Sequence, residues 1–173
     1  ALSKQISSSY IPASALLINE RVYGPIRERS GEIGTFGHGF TAGGHPVASA
    51  VSLETIRIIE DDGLVERAGE VGAKLQAGLR SLADHPLVGE VRGMALIAAI
   101  ELVTDKEAKT ALPTPGQLGA MVNANLQEAG IISRAMVDAL AFCPPLIITE
   151  AQVEELVAGV RAALDKTYKE LGA

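Results

Sequence analysis

The run MALIAAIELV, residues 94–103, places the strongest constraint on what this chain folds into. Residues 94–100 are all apolar, and Glu101 ends that stretch. It is far shorter than the roughly 20 residues that cross a membrane as a helix. Its apolar residues are continuous rather than alternating, which reads as a buried strand. A buried strand needs cover, and the flanking sequence supplies it. Leu64, Ala68, Val71, Leu75, Leu79 and Leu82 recur at helical spacing before it, up to a stop at Asp84-His85-Pro86. Leu118, Met121, Val122, Asn125 and Leu126 mark a second helix, ended by Gly130. Val153, Leu156, Val157, Val160, Leu164 and Leu171 line a third, opened by Thr149 and Gln152 in capping-box spacing. Further short strands are expected at 88–91, turned by Arg92-Gly93, and at 131–133 and 140–143. The polar stretch 104–116, with Pro113 and Pro115, reads as an exposed excursion. This half of the chain is expected to be α+β, strands covered by helices.

The first third is organised differently. Residues 13–18 (ASALLI) suggest a strand and 22–29 a short helix. Residues 30–44, SGEIGTFGHGFTAGG, form a long glycine-rich loop of the kind usually kept for function. Pro46 suits the first position of the next helix, which runs to about Glu60 and breaks at Asp61-Asp62-Gly63. A domain boundary is expected within the helices of 47–83, dividing the chain into 1–60 and 61–173.

Composition narrows the partners. Apolar residues make up 47% of the chain but aromatics only 3%, with no tryptophan, so stacking on nucleic-acid bases is disfavoured. The net charge of −6 and the lack of a basic patch argue against nucleic acid and anionic membranes. Cys143 is the sole cysteine, which excludes an internal disulfide and fits a reducing cytoplasm. Beside Pro144 in an apolar run, it is expected to be a small buried hydrophobe. No charged leader precedes an apolar run at the N-terminus, so no secretory signal is expected there. The chain opens at Ala1 in what reads as the middle of a buried segment, as a piece of a longer protein would.

Three features carry chemistry. Lys4 lies among small and hydroxylated residues in ALSKQISSSYIP, with no acidic neighbour. A lysine withdrawn from water keeps more of its amine free, as Schiff-base chemistry requires; the plain alternative is a lysine near a frayed end. The loop GHGFTAGGHP, residues 37–46, brings glycine backbone and the hydroxyl of Thr41 to a helix N-terminus, an arrangement suited to phosphate. The alternative is a turn that merely needs positive φ angles. Arg134 follows a strand candidate, where a guanidinium can grip a carboxylate through two parallel hydrogen bonds; taken alone, it reads more readily as a surface arginine on a sheet edge. His38 and His45 have no cysteine or carboxylate at ligand spacing, so no metal is expected, and no Gly-x-Ser-x-Gly elbow supports a serine hydrolase.

In order along the chain, SKQISSSYIPASALLI, HGFTAGGHPVASAVSLETIRIIEDDGLVERA, VGEVRGMALIAAIELV and GIISRAMVDALAFCPPLIITEAQVEELV resemble four segments of the class III pyridoxal-phosphate-dependent aminotransferases, near the omega-amino acid:pyruvate group. The resemblance spans nearly the whole chain and matches the C-terminal half of such enzymes. It implies an α/β fold: the C-terminal part of the large domain (1–60, with a connecting helix) and an α+β small domain (61–173) of the aspartate-aminotransferase-like fold. It implies that Lys4 is the Schiff-base lysine for pyridoxal 5'-phosphate. It implies that the Thr41 hydroxyl holds the cofactor phosphate across a dimer interface, and that Arg134 binds a substrate carboxylate. The expected partners are a small amine or amino acid, a keto acid, the missing N-terminal half, and a second copy in a homodimer or dimer of dimers. Two departures stand out: Ala42 and Gly43 replace a frequent aromatic or serine, and Val137 stands before Asp138 where glycine is frequent. The expected activity is amino transfer to a keto acid such as pyruvate, by the intact protein in the cytoplasm. The alternatives are an inactive structural fragment, or a related aminomutase, racemase or decarboxylase.

Overall fold

The computed structural model describes residues 1–172 and divides into two compact units, Ala1–Asp62 and Gly63–Ala173. In the first, β1 (Leu2–Ser3) pairs antiparallel with β2 (Ser14–Ala15), in the register Leu2↔Ala15 and Ser3↔Ser14. A 3-10 turn, Lys4–Ser7, lies between them. The strand expected over 13–18 thus shrinks to two residues, and Leu16, Leu17 and Ile18 leave the ladder exposed. Helix α1 (Glu20–Ile33) outruns the short helix expected at 22–29. Asn19 caps it by accepting the Val22 N–H, and the helix continues through Pro25. The glycine-rich loop therefore starts later than expected, after Ile33. Helix α2 (Pro46–Asp61) has Pro46 in its first turn, where a missing N–H costs nothing.

The second unit holds every buried apolar residue of the described chain, from Leu64 to Leu164. Helix α3 (Leu64–Arg80) leads into β3 (Val88–Met94) and β4 (Ile97–Leu102). Helix α4 (Gln117–Glu128), β5 (Arg134–Met136), β6 (Ala139–Phe142) and α5 (Glu150–Glu170) follow. The sheet runs β3-β4-β6-β5, antiparallel throughout. Along β4, Ala98, Ile100 and Leu102 are buried while Ile97 is 63% exposed. The continuous apolar run is therefore a strand covered on one face only, and its side chains alternate as antiparallel strands do. Leu140 and Phe142 of β6 complete the inner layer, against Val71, Leu75, Leu79, Val122, Leu126, Val160 and Leu164 of the helices.

Local chemistry sets the turns. The β3–β4 turn falls at Ala95-Leu96 rather than at Arg92-Gly93, with Ala95 in the left-handed region at φ 49°. Helix α3 fixes it: Gln76 Nε2 donates to the carbonyls of Ala95 and Ile97, both at 3.0 Å. Gly72 permits the approach, since a Cβ there would come within 2.4 Å of the Ala95 carbonyl carbon. Residues 131–133 are not a strand; β5 starts one residue later, at Arg134 itself. The α5 capping box is formed, with Thr149 Oγ1 accepting from the Gln152 N–H and Gln152 Oε1 from the Thr149 N–H. No helix of the described residues is long and apolar enough to cross a membrane.

Candidate functional site

Lys4 opens the 3-10 turn with φ 58°, and Ser8 and Ser9 follow at 46° and 62°. Three non-glycine residues in the left-handed region within six positions make a strained segment, and such strain persists only where the surroundings hold it. Here the hold is Ser7, the one buried residue of the segment, whose Oγ donates to the Ile11 carbonyl at 2.7 Å. Lys4 borders a hollow of about 220 Å³ with Ser7, Ser9, Ile11, Pro12 and Ala13. Its amine has no hydrogen bond or ion pair among the described residues. The structure leaves Lys4 exposed. The withdrawal from water expected of this stretch is thus not supplied by the described residues.

The glycine-rich loop lies in the same unit as Lys4. Its rings alternate along the chain: His38 stands 5.7 Å from Phe36 and 5.6 Å from Phe40, centroid to centroid. Several of its backbone donors are already used, His38 N–H on the Phe36 carbonyl, Gly43 N–H on that of Phe40 and His45 N–H on that of Ala42. His45 is the N-cap of α2, its Nδ1 accepting the Val47 N–H at 3.2 Å. Sequence reasoning missed this role; a histidine directly before Pro46 was the available signal. Thr41 is exposed and its hydroxyl is unengaged among the described residues. A groove of about 820 Å³ runs between this loop and the N-terminal segment, lined by Ser14, His38, Phe40, Gly44, His45 and Ser49 among others. Neither Lys4 nor Thr41 lines it.

Arg134 lies in the second unit, as the first residue of the edge strand β5. The register aligns Arg92, Ala99, Ala141 and Arg134 in one row across four strands. This row belongs to the face of the sheet without helices, and its middle is floored by two alanines. Arg92 is engaged, at 2.9 Å from Glu101 and 3.3 Å from Glu90, and chiefly the hydrogen bond it donates to Glu101 raises its pKa. Arg134 is exposed and forms no ion pair among the described residues. Of the two guanidiniums in this row, Arg134 is the one without a carboxylate partner among the described residues.

Cys143 is exposed, against the buried position expected for it. It follows the last residue of β6, past the covered part of the sheet. No group of His, Cys, Asp or Glu among the described residues is arranged to hold a metal ion.

The sequence model of the class III aminotransferases matches residues 1–164. Gamma aminobutyrate transaminase 1 of Solanum lycopersicum, a mitochondrial protein, is 38% identical over 168 residues, which are 97% of this chain and 33% of that protein. A solved transaminase with L-alanine superposes with a TM-score of 0.96 at 61% identity, over 98% of this chain and 40% of the other. The omega transaminase of Pseudomonas jessenii in complex with PMP gives 0.95 at 50% identity, over 98% and 38%. The chain thus spans between a third and two fifths of the length of these proteins.

Proposed function

The chain belongs to the class III aminotransferases, and on that premise we propose that the intact protein containing it transfers an amino group from an amine or amino acid to a keto acid such as pyruvate. The observation that carries this reading is Lys4: an amine without a partner among the described residues, on a strained turn whose geometry is held by Ser7 and Ile11. A primary amine free of any counter-ion is the donor that pyridoxal phosphate, the cofactor of this family, requires of its protein. When bound, pyridoxal phosphate supplies the electron sink that makes the substrate's Cα–H acidic.

The chain's own residues then have separable tasks. Lys4 Nζ would hold pyridoxal phosphate, and its free amine would move the proton at the substrate carbon, as base and then acid. The reaction runs in two halves, donor first and keto acid second. Thr41 would donate its hydroxyl to the cofactor phosphate of a second subunit's site. Its exposure, apart from the hollow beside Lys4, supports a role toward another subunit. Arg134 pairs with the α-carboxylate of an amino or keto acid through parallel N–H donors.

Residues 1–60 serve as the end of the cofactor-binding large domain with its connecting helix, and 61–173 as the small domain. The rest of the site comes from the portion of the protein that this chain does not span, so the chain by itself is inactive. The intact protein works as a homodimer, a reading supported by the exposed Leu16, Leu17, Phe36 and Phe40 of the first unit. A reducing compartment such as the cytoplasm suits its single exposed thiol.

The test is an assay of the full-length protein with an amine donor and pyruvate. L-alanine should form with the native protein and not with Lys4→Ala. Formation at an undiminished rate by the variant would remove Lys4 from the reaction.

A further inference from the structure

The strand that carries Arg134 is three residues long and hydrogen-bonded on one side only, to β6. A short edge strand has too few ladder bonds to fix a side chain by itself. Both of its ends are instead tied to one helix, α4. On the near side, Ser133 Oγ donates to Asn123 Oδ1 at 2.8 Å. On the far side, the Asp138 carboxylate accepts the N–H of Gly116 at 2.8 Å and that of Gly119 at 2.9 Å. These are the N-cap and third residue of α4. The Asp138 carbonyl also accepts the Leu102 N–H at 2.8 Å, which fixes the same turn to the end of β4.

The backbones meet closely at this point. A Cβ on Gly119 would lie 2.0 Å from the Val137 carbonyl oxygen, and Val137 itself is in the left-handed region at φ 57°. A bulky residue does not adopt that conformation in a free turn. Two charge-assisted bonds from a helix N-terminus supply the force that holds it there.

We propose that Asp138 is a positioning residue for Arg134: its carboxylate, bridging the amides of Gly116 and Gly119, locks the β5–β6 turn onto α4 and so sets where the Arg134 guanidinium meets a substrate carboxylate. The Ser133–Asn123 bond is the second tether of the same strand. This inference rests on the reading of Arg134 as the carboxylate-binding group. Asp138→Asn keeps the side chain's shape but removes the charge, and leaves one oxygen for two N–H donors.

The experiment uses the full-length, cofactor-loaded protein as native, Asp138→Asn, Ser133→Ala and Arg134→Gln forms. The donor half-reaction is measured with L-alanine and with a primary amine that has no carboxylate. Amide hydrogen exchange is followed at Gly116 and Gly119. In Asp138→Asn, KM for L-alanine should rise about tenfold while kcat and KM for the plain amine stay within about twofold, with faster exchange at both amides. Ser133→Ala should move L-alanine in the same direction by less, and it answers the question if Asp138→Asn does not fold. Equal losses for both donors, or faster exchange with L-alanine use unchanged, would overturn the positioning role. Arg134→Gln isolates the premise: if it fails to separate the two donors, the carboxylate reading of Arg134 falls, whatever Asp138 does.

Discussion

Arg92 and Arg134 sit in one row of the same open sheet face, three strand spacings or about 14 Å apart. Their difference in availability comes from their neighbours, since Glu90 and Glu101 flank only Arg92. Arg134 was legible from the sequence through the resemblance of its segment, but nothing in its immediate neighbours separated it from a surface arginine. The register that sets it over an alanine floor was hidden, because β5 begins at Arg134 rather than ending before it. If its guanidinium grips a carboxylate, Arg134→Ala should weaken amino-acid and keto-acid use by about 1.5–3 kcal/mol, roughly ten- to a hundredfold in kcat/KM. Use of a carboxylate-free amine should be spared, and steady-state kinetics with both donors would show it. Lys4 was legible as a residue but not in its setting. Small neighbours suggested withdrawal from water, whereas the described residues leave it open. The same error of reading neighbours in sequence as neighbours in space misplaced Cys143, which lies just beyond the covered part of β6.

At the scale of elements, the amphipathic helices were readable because their apolar stripes recur over several turns and their caps are local. The α5 capping box and the start of α2 at Pro46 are examples. The turns were less so, because distant residues decide them. The β3–β4 turn is set by Gln76 and Gly72 of α3, and the β5–β6 turn by Gly116 and Gly119 of α4. The turn between α3 and β3 depends on His85 in the same way. Its Nδ1 accepts the Leu87 N–H at 3.1 Å, its Nε2 faces Asp165 of α5 at 3.3 Å, and its ring stands edge-on to Tyr168. Its pKa is lowered from 6.5, first by burial; Asp165 raises it, and Arg161 and Lys106 add to the lowering. The unfolded chain therefore binds this proton more readily than the folded one. The stability it contributes is complete above pH 6.5 and is lost as the pH falls from there through the folded-state value. Protonation at Nδ1 would also cost the Leu87 hydrogen bond. Denaturant midpoints measured from pH 7.5 to 5 should fall for the native chain. The fall should be shallower for His85→Asn, whose amide oxygen can still accept the Leu87 N–H but does not titrate. Parallel curves would remove His85 from the acid sensitivity.

On the scale of the whole molecule, the two units differ in self-sufficiency. Every buried apolar residue of the described chain belongs to Gly63–Ala173, while Ala1–Asp62 buries only Ser7 and Thr55 fully. Its helices expose Val22, Tyr23, Ile33, Leu53 and Ile56, surface that an isolated chain would leave in water. A chain spanning 33% of a relative's length has the rest of that length from which to draw cover. Hydrogen exchange on the 173-residue chain should therefore find the amides of α3, β4 and α5 protected and those of α1 and α2 exchanging fast. In the full-length protein both sets should be protected. Equal protection in the short chain would mean that the first unit needs nothing further. The proposed reaction turns on one residue of this chain, Lys4. Its most direct test is to load the full-length protein with pyridoxal phosphate, reduce it with borohydride and map the peptides by mass. A pyridoxyl mass is expected on Lys4 and none in Lys4→Ala; a label on another lysine, or one that persists in the variant, would remove Lys4 from the chemistry.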